Sequence, residues 1–208
     1  MESKLNNINV FDFDGTLTTD TWPKIWVWVK KYGYNGEKRN KELENALTQY
    51  RNNHVGSDYD TFFGFFNNLL VSNNDTLTYD ELMEGEKYIV YNPGVENFVM
   101  NSKINNYIVS SGLKDFLIGL KIAKYFLGIY GSSVKYNDNN LINGIGQVMN
   151  DEDKILAIKD ILRKNNRKAN DCRNVYYIGD GYSDVAAMKF VHDNGGKAIF
   201  VYQPIQKW

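Results

Sequence analysis

Two aspartates, Asp12 and Asp14, stand in the run Asp12-Phe13-Asp14-Gly15-Thr16, directly after the apolar segment Ile8–Phe11. A second acidic pair closes Gly179-Asp180-Gly181-Tyr182-Ser183-Asp184, after Val175–Ile178. Between these runs lie Ser110-Ser111-Gly112 and Lys154. Clustered carboxylates repel unless a cation intervenes, and hard oxygen ligands with room for water and a phosphate suit Mg²⁺. Hydroxyls, backbone N–H groups at a helix start and a lysine suit the non-bridging oxygens of a phosphoryl group. Asp12 is then left to attack phosphorus. Asp14 can protonate the leaving oxygen and later take a proton from water. Phosphate-monoester hydrolysis is so slow uncatalysed that positioning and charge stabilisation must supply most of the acceleration. Each feature alone has a plainer reading: a turn for Asp14-Gly15, helix caps for Ser110, Ser111 and Asp184, a surface charge for Lys154. The conjunction, in this order, carries the chemical reading.

The elements that must position these groups are short strands alternating with helices. Strand patterns cover Ile8–Phe11, Tyr107–Val109 (stopped by Ser110-Ser111-Gly112), Tyr125–Tyr130 (closed by Gly131), Val175–Ile178 and Ala198–Tyr202. Helical patterns cover Val95–Met100 after Pro93-Gly94, Leu113–Lys124, Lys154–Lys164 with Ile155, Ile158, Ile161 and Leu162 on one face, and Asp184–His192 with Val185, Met188 and Val191 inward. This alternation predicts an α/β fold with a parallel sheet covered on both faces. Ligands bind such sheets at the carboxyl ends of the strands, where the acidic runs and the serines lie.

Residues 18–91 break the alternation. Trp22, Ile25, Trp26 and Val29 recur at helical spacing, as do Leu43, Ala46, Leu47 and Tyr50, and Phe62, Phe66 and Leu69/Leu70; Tyr79–Tyr88 makes a fourth helix. The pattern divides the chain into an α/β core of residues 1–17 and 92–208 and an inserted helical domain of residues 18–91. Between Gly112 and Lys154 it finds a helix, a strand and a connection, with no room for a second insert.

The composition narrows the setting. Of 208 residues, 43% are hydrophobic, enough for a core. The formal charge of −1, from 24 basic and 25 acidic residues, gives no electrostatic reason to expect nucleic acid or an anionic membrane as partner. A single cysteine, Cys172, excludes an intrachain disulfide and fits a reducing compartment. No apolar run is long enough to span a bilayer, and polar Met1–Asn9 lacks the marks of a signal peptide, so the expected location is the cytoplasm. His54 and His192 have no zinc-site spacing.

Asp12 with Asp14, Ser110, Lys154, and Asp180 with Asp184 resemble, in order, the four motifs of the haloacid dehalogenase-like superfamily. The resemblance implies a Rossmann-like core with strand order five-four-one-two-three. It implies Mg²⁺ held by the Asp12 carboxylate, the Asp14 carbonyl and Asp180, with Asp184 acting directly or through water. The insert resembles the helical cap of one subclass. Asp12-Phe13-Asp14-Gly15-Thr16-Leu17-Thr18 and the Gly179–Asp184 run look most like the phosphoserine phosphatase group. That group carries a substrate-reading Glu nine residues after the nucleophile; Thr21 stands there, with Asp20 before it. It carries Asn where Ser183 stands. Asp20, Trp22, Trp26 and Arg51 are the candidates for substrate specificity. The expected activity is hydrolysis of a small phosphorylated metabolite. Three alternatives share the fold: a phosphomutase, a haloacid dehalogenase, which needs neither Asp14 nor magnesium, and a non-catalytic phospho-ligand binder, which predicts a lost carboxylate where none is lost.

Overall fold

Ile8–Phe11 (β1) is buried along its whole length, as the centre of a sheet covered on both faces requires. It pairs in parallel with Asn105–Leu113 (β2) on one side and Val175–Gly179 (β6) on the other. Gly128–Ser132 (β3) and Lys197–Phe200 (β7) complete the sheet, in the order β3-β2-β1-β6-β7. This is the order that the family resemblance implies. The computed structural model describes residues 6–19, 45, 48–49, 52–53, 63–65, 67, 70–71 and 74–202. Among them no helix is long and apolar enough to cross a membrane.

The chain divides into two compact units. The first comprises residues 1–21, 90–131 and 149–208; the second comprises residues 22–89 and 132–148. In the first, alternate strand residues Ile8, Val10, Tyr107, Val109, Val175 and Tyr177 pack with Ala157, Ile158, Ile161 and Leu162 of Asp151–Lys164 and with Ala187 and Val191 of Val185–Asp193. The opposite strand faces carry Phe11, edge-on to Phe98 and Phe126, and a buried amide pair, Asn9 Nδ2 donating to Asn106 Oδ1 at 3.0 Å. Asn9 and Asn106 are register partners, so this bond fits only one alignment of β1 and β2. Where the chain leaves and re-enters the core, Thr18 bridges Tyr91 antiparallel and Thr19 N–H donates to the Val90 carbonyl.

In the second unit, Tyr79–Met83 (α1) opens on a Thr78/Glu81 capping box and continues as a 3₁₀ turn over Glu84–Tyr88. Val134–Tyr136 (β4) and Ile142–Ile145 (β5) form an antiparallel hairpin. Leu77 exchanges backbone hydrogen bonds with Ile142, and Asn67 Oδ1 accepts from the Ile145 N–H. Phe63, Phe65, Leu70, Leu77, Leu82, Val134, Ile142 and Ile145 are buried. The stripes Trp22–Val29, Leu43–Tyr50 and Phe62–Leu69 lie largely outside the described residues.

The remaining helices of the first unit are Val95–Asn101 (α2), Lys114–Gly119 (α3), Asp151–Lys164 (α4) and Val185–Asp193 (α5). Several local expectations change. The helix expected over Leu113–Lys124 is only α3, followed by a turn and a 3₁₀ turn at Ala123–Tyr125. Gly119, at its end, is a weak helix former. β2 runs through Ser110-Ser111-Gly112 to Leu113 rather than stopping at Val109. Gly131 lies inside β3; a Cβ there would come within 2.6 Å of the Gly112 carbonyl, so glycine permits close backbone approach instead of ending the strand. α4 starts at Asp151, three residues before Lys154, because Asn150 and Asp153 form a capping box. Val185 is exposed, whereas Val191 is buried and Met188 packs against the core as expected, with Ala187 buried beside them. The turn before it, Tyr182–Asp184, is 3₁₀, which shifts the phase of the helix that follows.

Candidate active site

Strand register brings the acidic runs to one edge of the sheet. Phe11 is opposite both Ile108 and Ile178, so Asp12 leaves β1 beside β2 and β6, and Ser110 and Asp180 each lie two residues past the partner of Phe11. The Asp12 N–H donates to the Ile178 carbonyl at 2.8 Å, fixing the first residue beyond the strand. The chain then turns at Asp14–Leu17, where Leu17 and Thr18 donate back to the Phe13 carbonyl. Gly15 has φ +73°, and a Cβ on it would sit 2.1 Å from Asp180 Oδ2. No other residue type fits this turn against that carboxylate. Thr16 Oγ1 donates to Asp180 Oδ1 at 3.2 Å, and Asn92 Nδ2 donates to the Thr16 and Thr18 carbonyls.

Lys154, expected as a cation reaching into a cleft, is wholly buried. Its Nζ donates to Asp184 Oδ1 at 2.7 Å, to Asp12 Oδ1 at 3.3 Å and to Ser183 Oγ at 3.3 Å. Asp184, fully buried, accepts four hydrogen bonds. Oδ1 takes Lys154 and the Tyr177 hydroxyl at 2.7 Å; Oδ2 takes the N–H groups of Asp180 and Gly181, each at 3.2 Å. A Cβ on Gly179 would lie 2.5 Å from that Oδ2, so glycine lets Asp184 fold back onto the strand end. Asp14 is buried in the turn. Ser110 Oγ is buried and accepts from the Gly112 N–H at 3.0 Å; Ser111 is buried beside it. Neither serine begins a helix, since α3 starts at Lys114 with Leu113 as its uncapped N-cap residue. Asp20, Trp22, Trp26 and Arg51 lie outside the described residues, as does His54.

The electrostatics follow from burial. Desolvation pushes the Asp12 carboxyl up to about 8; Lys154 opposes the rise, while Asp184, Asp14 and Asp180 add to it. Burial also raises Asp180, with the Thr16 hydrogen bond opposing and Asp184 adding. Burial disfavours the charge on Lys154, but Asp12 and Asp184 outweigh it, and its pKa rises. Burial, then the charges of Asp184 and Asp12, keep the Tyr177 phenol protonated well beyond its usual range. Asp12, Asp180 and Asp184 each offer a carboxylate oxygen, all within 4.8 Å of one another. One ammonium is the partner to two of these three acids, so the cluster holds more acid groups than it can neutralise, and Asp12 keeps its proton well above the usual carboxyl range. An all-oxygen, acidic donor set with a glycine-cleared wall fits a hard divalent cation such as Mg²⁺.

Sequence reasoning misses Tyr177 and Asn92. Tyr177 reads as a core aromatic on a strand, which it also is. Asn92 precedes Pro93-Gly94 and reads as turn chemistry. Cys172 is buried, and burial pushes its thiol up to about 11, so it is an inert core residue. His192 is exposed near the end of α5, beside Asp193.

A β3-β2-β1-β6-β7 sheet with acids leaving β1 and β6 and a lysine from the helix before β6 defines an α/β protein with an anionic site at its carboxyl edge. The chain belongs to the haloacid dehalogenase-like hydrolase family, whose model matches residues 10–189. No curated protein sequence matches it. Among solved structures it is similar to a HAD family hydrolase from Salmonella enterica serovar Typhi, with a TM-score of 0.68 and 17% identity over 95% of this chain and 68% of that one. It is also similar to a substrate-bound phosphoserine phosphatase, with a TM-score of 0.65 and 16% identity over 95% and 94%. A third is a putative HAD hydrolase from Bacillus subtilis bound to magnesium, with a TM-score of 0.57 and 14% identity over 98% and 92%. At these identities the likeness is one of fold.

Proposed function

We propose that the protein is a Mg²⁺-dependent phosphatase that hydrolyses a small-molecule phosphate monoester through an aspartyl phosphate on Asp12. The observation that carries this reading is the buried convergence of the Asp12, Asp180 and Asp184 carboxylates with Lys154. Asp12 and Asp180, with the Asp14 carbonyl, would hold the metal, and Asp184, whose oxygens already accept four hydrogen bonds, would complete the sphere directly or through water. When bound, Mg²⁺ supplies positive charge against the phosphoryl oxygens.

An Asp12 carboxylate oxygen attacks phosphorus, and the P–O bond to the leaving alcohol breaks. Asp14 gives its proton to that leaving oxygen. In the second half, water attacks the aspartyl phosphate as Asp14 takes its proton. The phosphorus–Asp12 bond breaks, inorganic phosphate leaves, and the Asp12 carboxylate is restored. Lys154 stabilises charge on the phosphoryl oxygens and favours the ionised form of Asp12. Ser110 and Ser111 bind the remaining oxygens from the β2 end.

The inserted residues 18–91 are proposed to set the choice of ester, through Asp20, Trp22, Trp26 and Arg51. The departures at Thr21 and Ser183 leave the ester class wider than phosphoserine. A reducing, cytoplasmic setting agrees with the lone buried Cys172. The test is hydrolysis of a generic aryl phosphate with Mg²⁺. Asp12→Asn and Asp14→Asn should each remove turnover, by on the order of 10⁴-fold or more, with the circular dichroism spectrum unchanged. Turnover surviving both changes refutes the assigned roles.

A further inference from the structure

A phenylalanine would serve the packing around position 177 as well as a tyrosine does. The residue belongs to the buried cluster that also holds Val175, Ile158, Ile161, Ala187 and Val191, wholly shielded from solvent. The hydroxyl reaches past this core to a single oxygen, Asp184 Oδ1, at 2.7 Å. The same oxygen receives Lys154 Nζ, also at 2.7 Å, and Lys154 continues to Asp12 at 3.3 Å. The other oxygen is pinned by two backbone N–H groups of the loop that carries Asp180. Four donors therefore fix the Asp184 carboxylate, and only Tyr177 and Lys154 are side chains. A buried group that loses one of its partners has no water to replace it.

We propose that Tyr177 is a positioning residue: its hydroxyl locks Asp184 so that the carboxylate aims Lys154 at Asp12 and holds the Asp180 loop in register. The inference rests on the phosphatase reading of the site. Outer partners of this kind typically change metal affinity or activity 10- to 100-fold when removed. The position has a built-in control. Tyr130 OH also donates to an aspartate, Asp160 Oδ2, at the same 2.7 Å, but on the outside of α4 and beside Lys164.

The experiment compares the wild type, Tyr177→Phe, Tyr130→Phe, Asp184→Asn and the double variant Tyr177→Phe/Asp184→Asn. Mg²⁺ affinity is measured by calorimetry without substrate, aryl phosphate hydrolysis by steady-state kinetics, and folding by thermal melts. Tyr177→Phe should fold, bind Mg²⁺ about 10-fold more weakly, and lose about 10-fold or more in kcat with KM within twofold. Tyr130→Phe should leave kcat and Mg²⁺ affinity unchanged. In the Asp184→Asn background the Tyr177 change should add little, because both act through one carboxylate. Unchanged Mg²⁺ affinity and kcat in a folded Tyr177→Phe, or effects that simply multiply in the double variant, overturn the proposal. A wild type that neither binds Mg²⁺ nor hydrolyses the ester overturns the phosphatase reading itself, and this inference with it.

Discussion

Among the described residues the core buries two cations, one at each edge of the same sheet, and they are held in opposite ways. Lys154, at the carboxyl ends of β1 and β6, is neutralised by Asp12 and Asp184 in a cluster that holds more acid than one ammonium can balance. Arg167, near the amino ends of the same strands, donates to the Arg173 and Asn6 carbonyls. Burial lowers its pKa, whereas the acids around Lys154 raise that of the lysine. Arg167 ties the chain just before β1 to the chain just before β6 and is matched by neutral acceptors. Lys154 sits among more acid groups than one ammonium can neutralise, where the proposed metal and phosphoryl group would complete the set. A buried polar group can close a structure or wait for a ligand, and its partners tell which.

That contrast can be broken from either side. The largest effect expected is at Lys154. Lys154→Met should lower kcat/KM by on the order of 10²- to 10³-fold, roughly 3–4 kcal/mol of transition-state stabilisation. A loss below about threefold in aryl phosphate kinetics would place the ammonium outside the chemistry. Arg167→Met should do the reverse. It removes two part-buried, charge-assisted hydrogen bonds and should remove about 2 kcal/mol of stability in denaturant unfolding, with turnover per folded molecule unchanged. An equal fall in turnover would erase the distinction between the two edges. The smallest effect lies on the surface of α4. Lys164 and then Tyr130 hold the Asp160 carboxyl down at about 2, against 3.8 for an unperturbed aspartate. Its folded value is depressed, so its contribution is complete above about pH 4 and disappears as the pH falls toward 2. The stability gap between wild type and Asp160→Asn, under about 1 kcal/mol for such an exposed pair, should close across that window. A gap that stays constant down to pH 2 would contradict the assignment.

The two edges also differ in how far they are legible from residues alone. At the carboxyl edge, acids and glycines stand directly after apolar runs, so local spacing announces Asp12, Asp14, Asp180 and Asp184. β1 and the apolar face of α4 are legible for the same reason: their periods are unbroken. Arg167 is not, because its partners are backbone carbonyls, which carry no residue signature. Tyr177 hides behind its ring, since a strand tyrosine and a core tyrosine read alike. The β4–β5 hairpin escapes because each strand is very short, and its pairing and its bridge to Leu77 are long-range. Asn137, whose side chain accepts from the Asn139 and Leu141 N–H groups, shapes its turn and offers a polar cluster as the only local sign. The outward turn of Val185 reflects one 3₁₀ turn that no periodicity displays.

The proposed chemistry requires that Asp12 become covalently phosphorylated. Protein mixed with a phosphate monoester and Mg²⁺, quenched in acid within milliseconds and reduced with borohydride, should yield homoserine at position 12 by peptide mass spectrometry. Steady hydrolysis with no such mark at position 12, or with the mark at position 14, would contradict the account.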